Sequence, residues 1–424
     1  MMNQARICFI LSVAFLPPAK PALAADTADR QVESAVKRLK AAARIYDERE
    51  MRRASLALAE IGKPAVGALI QAMDDFDDNV RWQAIVALQR IGAAESAIPK
   101  LVESLADVDP DVRGAAAVAL AKLHADDPSV VPALRQRLVD KHARVRADAN
   151  WALWHLTAYE MAIPALVELL GHKDWMVRDA AVCHLAQIGG DAVPLLIAIV
   201  KRRKATGRAA AVRTLGLIGP RRNGTIAAVV AALDDSDAAV VQSAIKATGR
   251  LGPNVVRELL ELFEKSHVKD RVAIVKAMGQ IRWAEEAKIA RCAVATTLKN
   301  ILGRPPRDGS RLKRELLVAA TEAIGQLGAT GQVAVPELRN GLKNLSPDIR
   351  AATAATLGRI QTTSKTVKSE LQRLAADDPT DFVRASATDA LRRMAKDSLV
   401  RMRSLGTDLG AVPFHANGFG SRIE

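Results

Sequence analysis

The sequence is poor in the residues that build thick cores, disulfide scaffolds and hairpin sheets. Of its 424 residues only 3% are aromatic, and only three are cysteines. It shows no sustained alternation of apolar and polar residues joined by Asn-Gly or Asp-Gly turns, so it does not predict β-hairpins. The 49% of residues that are apolar are mainly Ala, Leu, Val and Ile. Such small, helix-favouring side chains predict thin and closely packed helices.

Familiar catalytic and metal-binding motifs are also missing. None of the seven histidines is followed by Glu, and the sequence contains neither His-Glu-x-x-His nor Cys-x-x-Cys. Cys183 and Cys292 lie far apart in the chain, which argues against an intramolecular disulfide between them. We therefore expect a protein that is not an enzyme and needs no cofactor and no metal.

Residues 1–24 have the composition of a secretory signal peptide. Arg6 precedes the apolar run Ile7 to Leu16, and Ala22-Leu23-Ala24 fits the small-residue rule for cleavage. This run is too short to span a bilayer, and no later segment has about eighteen uncharged apolar residues in succession. The sequence therefore predicts an exported protein, periplasmic or extracellular, without a membrane span.

A phrase of about twelve residues recurs along the chain at a step of about thirty-two. It begins with a residue that we call position 0, usually apolar, and small or apolar residues follow at +4, +7, +8 and +11. This spacing forms one stripe of an α-helix. In five units a proline lies thirteen residues before position 0 and predicts the start of a second, upstream helix. Position 0 falls at Val80, Val112, Val145, Val177, Gly207, Val240, Asp270, Leu316, Ile349 and Val383, and a weaker copy lies near Glu50.

These helix–turn–helix units resemble the HEAT repeat, in particular the shorter repeats of phycobilisome-lyase-like HEAT proteins. The resemblance is carried by Ala97-Ile98-Pro99-Lys100-Leu101, by Asp109-Pro110-Asp111-Val112-Arg113 and by Ala115 to Leu120. It covers about residues 45–396 and implies an all-α fold, a right-handed α-solenoid of about eleven HEAT-like helical hairpins. The expected organisation is a signal peptide over 1–24, the solenoid over 25–396 and a loosely structured tail over 397–424.

The turn inside each unit has a charge pattern of its own. Asp recurs five or three residues before position 0, and Arg follows position 0 in most units. The pattern fits either a charged binding strip or a structural ladder in which Arg forks onto a turn carboxylate. Because a binding site rarely recurs in every repeat, we expect the ladder. The arginines are Arg81, Arg113, Arg146, Arg178, Arg208, Arg271, Arg350 and Arg384.

Positions +2, +6 and +9 are predicted to face away from the core stripe, on the side that the HEAT resemblance implies is concave. Tryptophans at these positions predict an aromatic site, unless neighbouring repeats bury them. Lysine or arginine at +6 of three successive units predicts a line of cations at intervals of about 10 Å. The predicted partner-binding residues are Trp82, Trp151, Trp154, His155, Arg213, Lys246 and Lys276.

The positive charge is concentrated in two stretches, although the whole chain carries a net +14. No acid occurs between Ala192 and Leu233, and a basic stretch fills a long insertion over 299–314. Such patches attract anionic partners. We expect a noncatalytic scaffold of the cell envelope or periplasm whose concave groove binds a protein or an acidic or polyanionic partner.

Two other functions stay open. The resemblance to bilin lyases implies a HEAT protein that acts on a chromophore or a protein substrate. The basic groove with tryptophans is typical of HEAT-like proteins that bind nucleic acid, although export away from the genome argues against that partner.

Overall fold

The computed structural model describes residues 25–202, 206–220, 223–304 and 310–406, and within these ranges it contains only helices, turns and loops. The predicted signal peptide over 1–24 lies outside the described residues, as do residues 407–424 of the predicted tail. The last helix runs to Gly406, past the predicted boundary at 396.

The chain divides into two large parts, each of several repeats. We call Met1–Ala247 the first unit and Thr248–Glu424 the second unit. The first unit contains α1 (Ala25–Arg44), α2 (Glu48–Ile61), α3 (Val66–Ala72), α4 (Asp78–Ile91), α5 (Ile98–Ser104), α6 (Pro110–Lys122), α7 (Val130–Arg137), α8 (Ala143–Thr157), α9 (Ala162–Leu169), α10 (Trp175–Ile188), α11 (Val193–Lys201), α12 (Arg208–Ile218) and α13 (Thr225–Ala231). Helix α14 (Ala238–Leu251) contains the division.

The second unit contains α15 (Val256–Lys265), α16 (Val268–Gln280), α17 (Lys288–Gly303), α18 (Arg311–Gln326), α19 (Val335–Gly341), α20 (Pro347–Arg359), α21 (Lys365–Asp377) and α22 (Asp381–Gly406). Taken in pairs from α1 to α22, the helices of the described chain form eleven hairpins. We call the first helix of each pair outer and the second inner. The predicted all-α solenoid of about eleven hairpins is confirmed.

The hairpin of α5 and α6 shows how local sequence sets the boundaries of a unit. Pro99 stands in the first turn of α5, where its missing N–H costs no hydrogen bond. Leu101, two residues later, is fully buried. Asp109 caps α6, because its Oδ1 accepts hydrogen bonds from the backbone N–H groups of Asp111 and Val112 at 2.9 and 3.0 Å. The proline and the turn aspartate therefore fix where the two helices begin.

The arginine ladder is structural. Arg81 donates from Nε and Nη2 to the two carboxylate oxygens of Asp107 in the next unit, each at 2.8 Å. Its Nη1 donates to the backbone carbonyls of Asp75 and Phe76 in its own turn at 2.9 and 3.1 Å. One side chain therefore closes its own turn and ties it to the neighbouring one. The same arrangement joins Arg113 to Asp140 and Arg350 to Asp378.

Successive inner helices approach one another closely at position +9, which is glycine in five successive units. A Cβ added to Gly216 would lie 2.5 Å from Cβ of Ala247, and one added to Gly358 would lie 2.7 Å from Cα of Ala390. Contacts this short leave no room for a larger side chain. Position +9 therefore faces the next inner helix in these units, and the expectation that it faces away from the core is wrong there.

Two inner helices of the first unit, α4 and α6, are buried on every side over most of their length. Residues Asn79–Gln89 of α4 and Val112–Ala121 of α6 are all buried. Helix α4 contacts four other helices, namely α1, α2, α3 and α6. In this part of the first unit, the inner helices therefore expose little surface to a partner.

One apolar stretch of the described residues, Trp175–Lys201, has the length and composition of a membrane span, with a mean hydropathy of 1.6. In the structure it is two helices, α10 and α11, separated by the 3-10 turn Gly189–Ala192. Leu185 and Leu196 within it are fully buried in the repeat core.

Candidate functional site

Two of the three tryptophans predicted to face a partner are core residues. Trp82 and Trp151 are each only 4% exposed, whereas Trp154 is half-buried and His155 is exposed. The prediction that +2 and +6 face solvent is wrong for Trp82 and Trp151, because neighbouring helices cover these positions. The ring of Trp151 stacks on His184 of the next inner helix, with 5.2 Å between the ring centroids.

Four rings form a continuous row that runs from the turn after α6 across α8 to α10. The centroid of His124 lies 5.1 Å from that of His155, which lies 5.3 Å from Trp151. Trp151 then contacts His184. Although His155 is exposed as a residue, its ring is partly buried, and this partial burial disfavours the charged form of the ring. The nearby charge of His124 adds to the effect, so the pKa of His155 is lowered. The row therefore leads from two exposed histidines to a buried one.

A buried ion cluster lies at the inner end of this row. Asp148 is 1% exposed, and its Oδ1 lies 2.7 Å from Nε2 of His184. Nε of Arg144 lies 3.2 Å from its other oxygen. Burial alone would raise the pKa of Asp148, but the charge of Arg144 and the hydrogen bond from His184 outweigh burial and lower it. A side chain at Gly114 would collide with this carboxylate.

Sequence reasoning missed this cluster, although two signals were present. Asp148 stands at +3 and His184 at +7, where most other units have alanine. A polar residue at these otherwise small positions indicates a buried partner, since an unpaired buried charge is costly.

The three cations predicted at +6 are all exposed, but they differ in their partners. Arg213 forms an ion pair with Asp179, with 2.5 Å between Nη2 and Oδ1. Lys246 and Lys276 form no ion pair with any residue that the structure describes. Arg213 and Lys246 belong to the first unit and Lys276 to the second.

Lys276 lies on the rim of a groove of about 700 Å³ in the second unit. The groove crosses the inner helices α16, α18, α20 and α22. Its lining includes the small side chains Ala319, Ala351, Ala352 and Ala355. Around these alanines stand the charged residues Lys276, Arg311, Arg314, Glu315, Glu322 and Asp348 and the ring of Phe382. The sequence indicated Lys276 but not the acids or the phenylalanine, which stand at +6 or directly before position 0.

The two predicted basic stretches are only partly described. Lys201 and Arg202 are exposed at the end of α11. Arg203, Lys204, Arg221, Arg222 and Arg307 lie outside the described residues. Within the described ranges, no group of three or more His, Cys, Asp or Glu side chains is placed to hold a metal ion.

Several solved structures are similar to this chain, while no curated protein matches it. Kap95p, described as binding RanGDP in nuclear import complex assembly, is 16% identical, with a TM-score of 0.51 over 96% of this chain and 64% of that chain. Kap121p bound to Pho4p is 13% identical, with a TM-score of 0.53 over 96% and 47%. Human deoxyhypusine hydroxylase is 21% identical, with a TM-score of 0.29 over 87% and 98%.

The chain thus spans less than two thirds of Kap95p and of Kap121p, and at these identities the likeness shows the fold alone. The family assignment comes from the repeats themselves. A sequence model of HEAT repeats matches residues 66–154, 132–206, 193–279 and 312–392, well over half of the chain. The chain belongs to the HEAT-repeat family.

Proposed function

We propose that the chain is a noncatalytic binding scaffold that holds a segment of a partner protein in the groove of its second unit. The observation that carries this proposal is the groove itself, about 700 Å³ lined by alanines and rimmed by charges of both signs. Small side chains let a bound backbone approach the helices closely, and the charged rim gives it register.

The mixed charge of the groove favours a protein segment over a polyanion. Glu322 and Asp348 lie in the groove beside the cations, and neither forms an ion pair with any described residue. A polyanionic polymer would meet these two carboxylates as well as Lys276, which opposes its binding. A polypeptide can present both signs.

The fold is compatible with this use. Kap95p, which binds RanGDP, and Kap121p, which binds Pho4p, share this fold. The low identity does not carry those partners over to this chain. The shared fold supports only the proposal that stacked hairpins of this kind present a surface to a protein.

Site-specific photocrosslinking tests the proposal. A photoreactive amino acid at Ser386 in the groove should crosslink to one partner protein, whereas the same amino acid at Ser369, exposed on the outer helix α21, should not. Ala355→Arg, which fills the groove, should abolish the crosslink, and Ala376→Arg on α21 should leave it intact. Crosslinks that persist in the Ala355→Arg variant would rule out the groove as the binding site.

The proposed place of action is the periplasm or the cell exterior, on the composition of residues 1–24. Cell fractionation tests this part separately. The full chain should appear in the exported fraction and a variant that lacks residues 2–24 in the cytoplasm. Equal distribution of the two chains would contradict export.

A further inference from the structure

The charges in the groove of the second unit are arranged with a polarity. Lys276 on α16 stands at one end, and Arg311 and Arg314 lie at the start of the next inner helix, α18. Lys276 forms no ion pair with any described residue, and Arg311, 86% exposed, pairs only with Glu315 of its own helix. Lys276 therefore gives this end a positive charge that no described residue neutralises.

The opposite end of the groove is acidic and aromatic. Asp348 in the first turn of α20 is exposed, and the ring of Phe382 at the start of α22 is 48% exposed. Glu322 at +6 of α18 is also exposed but lies between the two ends, and no described cation neutralises it or Asp348. A carboxylate next to an accessible aromatic face suits a cationic side chain, through an ion pair and a cation–π contact.

The distance between the two ends follows from the helix packing. Lys276 and Asp348 stand on inner helices that are two steps apart, and each step is about 10 Å. Lys276 stands at +6 and Asp348 directly before position 0, which adds an offset of about 10 Å along the helices, so the two lie roughly 22 Å apart. An extended chain advances about 3.3 Å per residue, so about seven residues bridge them. Between the ends the lining residues Ala319, Ala351 and Ala352 form a floor of small side chains, on which a peptide backbone with small side chains can lie closely.

We propose that this groove takes an extended peptide that carries one acidic and one basic side chain about seven residues apart, with about six small residues between them. The acid lies at Lys276, and the base lies between Asp348 and Phe382. This inference rests on the proposed function and adds the chemistry of the segment that is bound.

Fluorescence anisotropy with labelled peptides of about twelve residues tests the inference on the full chain. The peptides carry Asp and Arg separated by about two, six or ten Ala, Ser or Gly residues, together with an all-acidic and an all-basic version. The peptide with about six residues between Asp and Arg should bind about ten-fold more tightly than any other member of the set. Equal affinity across the spacings, or tightest binding of a peptide of single sign, would overturn the inference.

Charge reversal in the protein gives a second, matched arm. Lys276→Glu should weaken the best peptide about ten-fold and should strengthen the all-basic peptide. Lys246→Glu makes the same charge change at the same +6 register outside the groove and should change neither affinity. Equal effects of the two substitutions would show a net-charge effect and reject the assignment of Lys276.

The outcomes separate the two proposals. A partner crosslink at Ser386 that Ala355→Arg abolishes, together with no preference among the peptides, would leave the binding scaffold standing and remove the charge-spacing inference. A Ser386 crosslink that persists in the Ala355→Arg variant would remove both proposals.

Discussion

Arg113→Ala should lower the free energy of unfolding more than Arg146→Ala does, because the two ladder arginines make different sets of contacts. Arg113 donates two hydrogen bonds to the carboxylate of Asp140 in the next unit and two to the backbone carbonyls of Asp107 and Val108. Arg146 donates only to the carbonyls of its own turn, at 2.9 and 3.4 Å. The pair therefore compares a ladder contact between units with one confined to a turn.

The expected magnitudes follow from burial. The side chains of Arg113 and Asp140 are 6% and 4% exposed, so Arg113→Ala leaves a buried carboxylate with its main partner removed. Breaking a buried pair in this way costs about 3–5 kcal/mol of unfolding free energy. Arg137, whose Nη1 lies 3.6 Å from Asp140, offsets part of this loss and favours the lower end. Arg146→Ala loses one good and one long hydrogen bond to carbonyls, about 1–2 kcal/mol.

Urea unfolding followed by far-ultraviolet circular dichroism measures both losses, and hydrogen exchange of α6 and α8 localises them. The double variant Arg113→Ala/Asp140→Ala should be less destabilised than the sum of its single variants, because it leaves no unpaired buried charge. Arg113→Lys keeps the charge without the fork and should fall between wild type and Arg113→Ala. Equal losses for Arg113→Ala and Arg146→Ala would refute the claim that the contact between units dominates.

Three further changes test the packing of the first unit. Gly216→Val should lower the free energy of unfolding in urea by about 1–3 kcal/mol, since its side chain would collide with Ala247, whereas Gly67→Ala, in open space on a helix, should raise it slightly. Trp151→Ala should cost about 3–5 kcal/mol in thermal unfolding because the ring is buried; an unchanged melt would mean that the ring faces solvent. The folded-state pKa of Asp148 lies below the ordinary 3.8, so its stabilisation is complete above that pH and is lost as the pH falls through the lower, folded-state pKa. Asp148→Asn should therefore flatten the acid limb of a stability–pH curve; an unchanged slope would contradict this.

The repeat architecture could be predicted because its signals are local and recur. The stripe at 0, +4, +7, +8 and +11 fixes each inner helix, and a turn aspartate such as Asp109 caps it. The recurrence of Arg after position 0 predicts a structural ladder, because a residue pattern present in most units satisfies a shared contact. Pairing with the next carboxylate, as between Arg113 and Asp140, is found for four of the eight ladder arginines in the described chain: Arg81, Arg113, Arg208 and Arg350. These features need no knowledge of how tightly one unit rests on the next.

The exposure of Trp151 could not be predicted, because it depends on the distance between helices. A helical wheel gives the direction of a side chain within one helix, but burial is decided by the neighbouring helix. Here alanine at most +7 positions and glycine at +9 in later units let inner helices approach closely. The ring of Trp151 at +6 then contacts His184 at +7 of the next inner helix, which the sequence shows only as an isolated polar residue.

The residue type at +6 explains why a groove forms where it does. Val86 and Val118 are each 1% exposed at this position, and Trp151 is 4% exposed, so apolar +6 side chains fill the space between inner helices. Lys276 and Glu322 occupy +6 in the second unit and have no ion-pair partner in the described chain. Burying either charge unpaired would cost several kcal/mol, so closure of the helices over them is disfavoured. Charge at +6 therefore disfavours closure of the inner helices around Lys276 and Glu322 and helps to keep the groove of the second unit open.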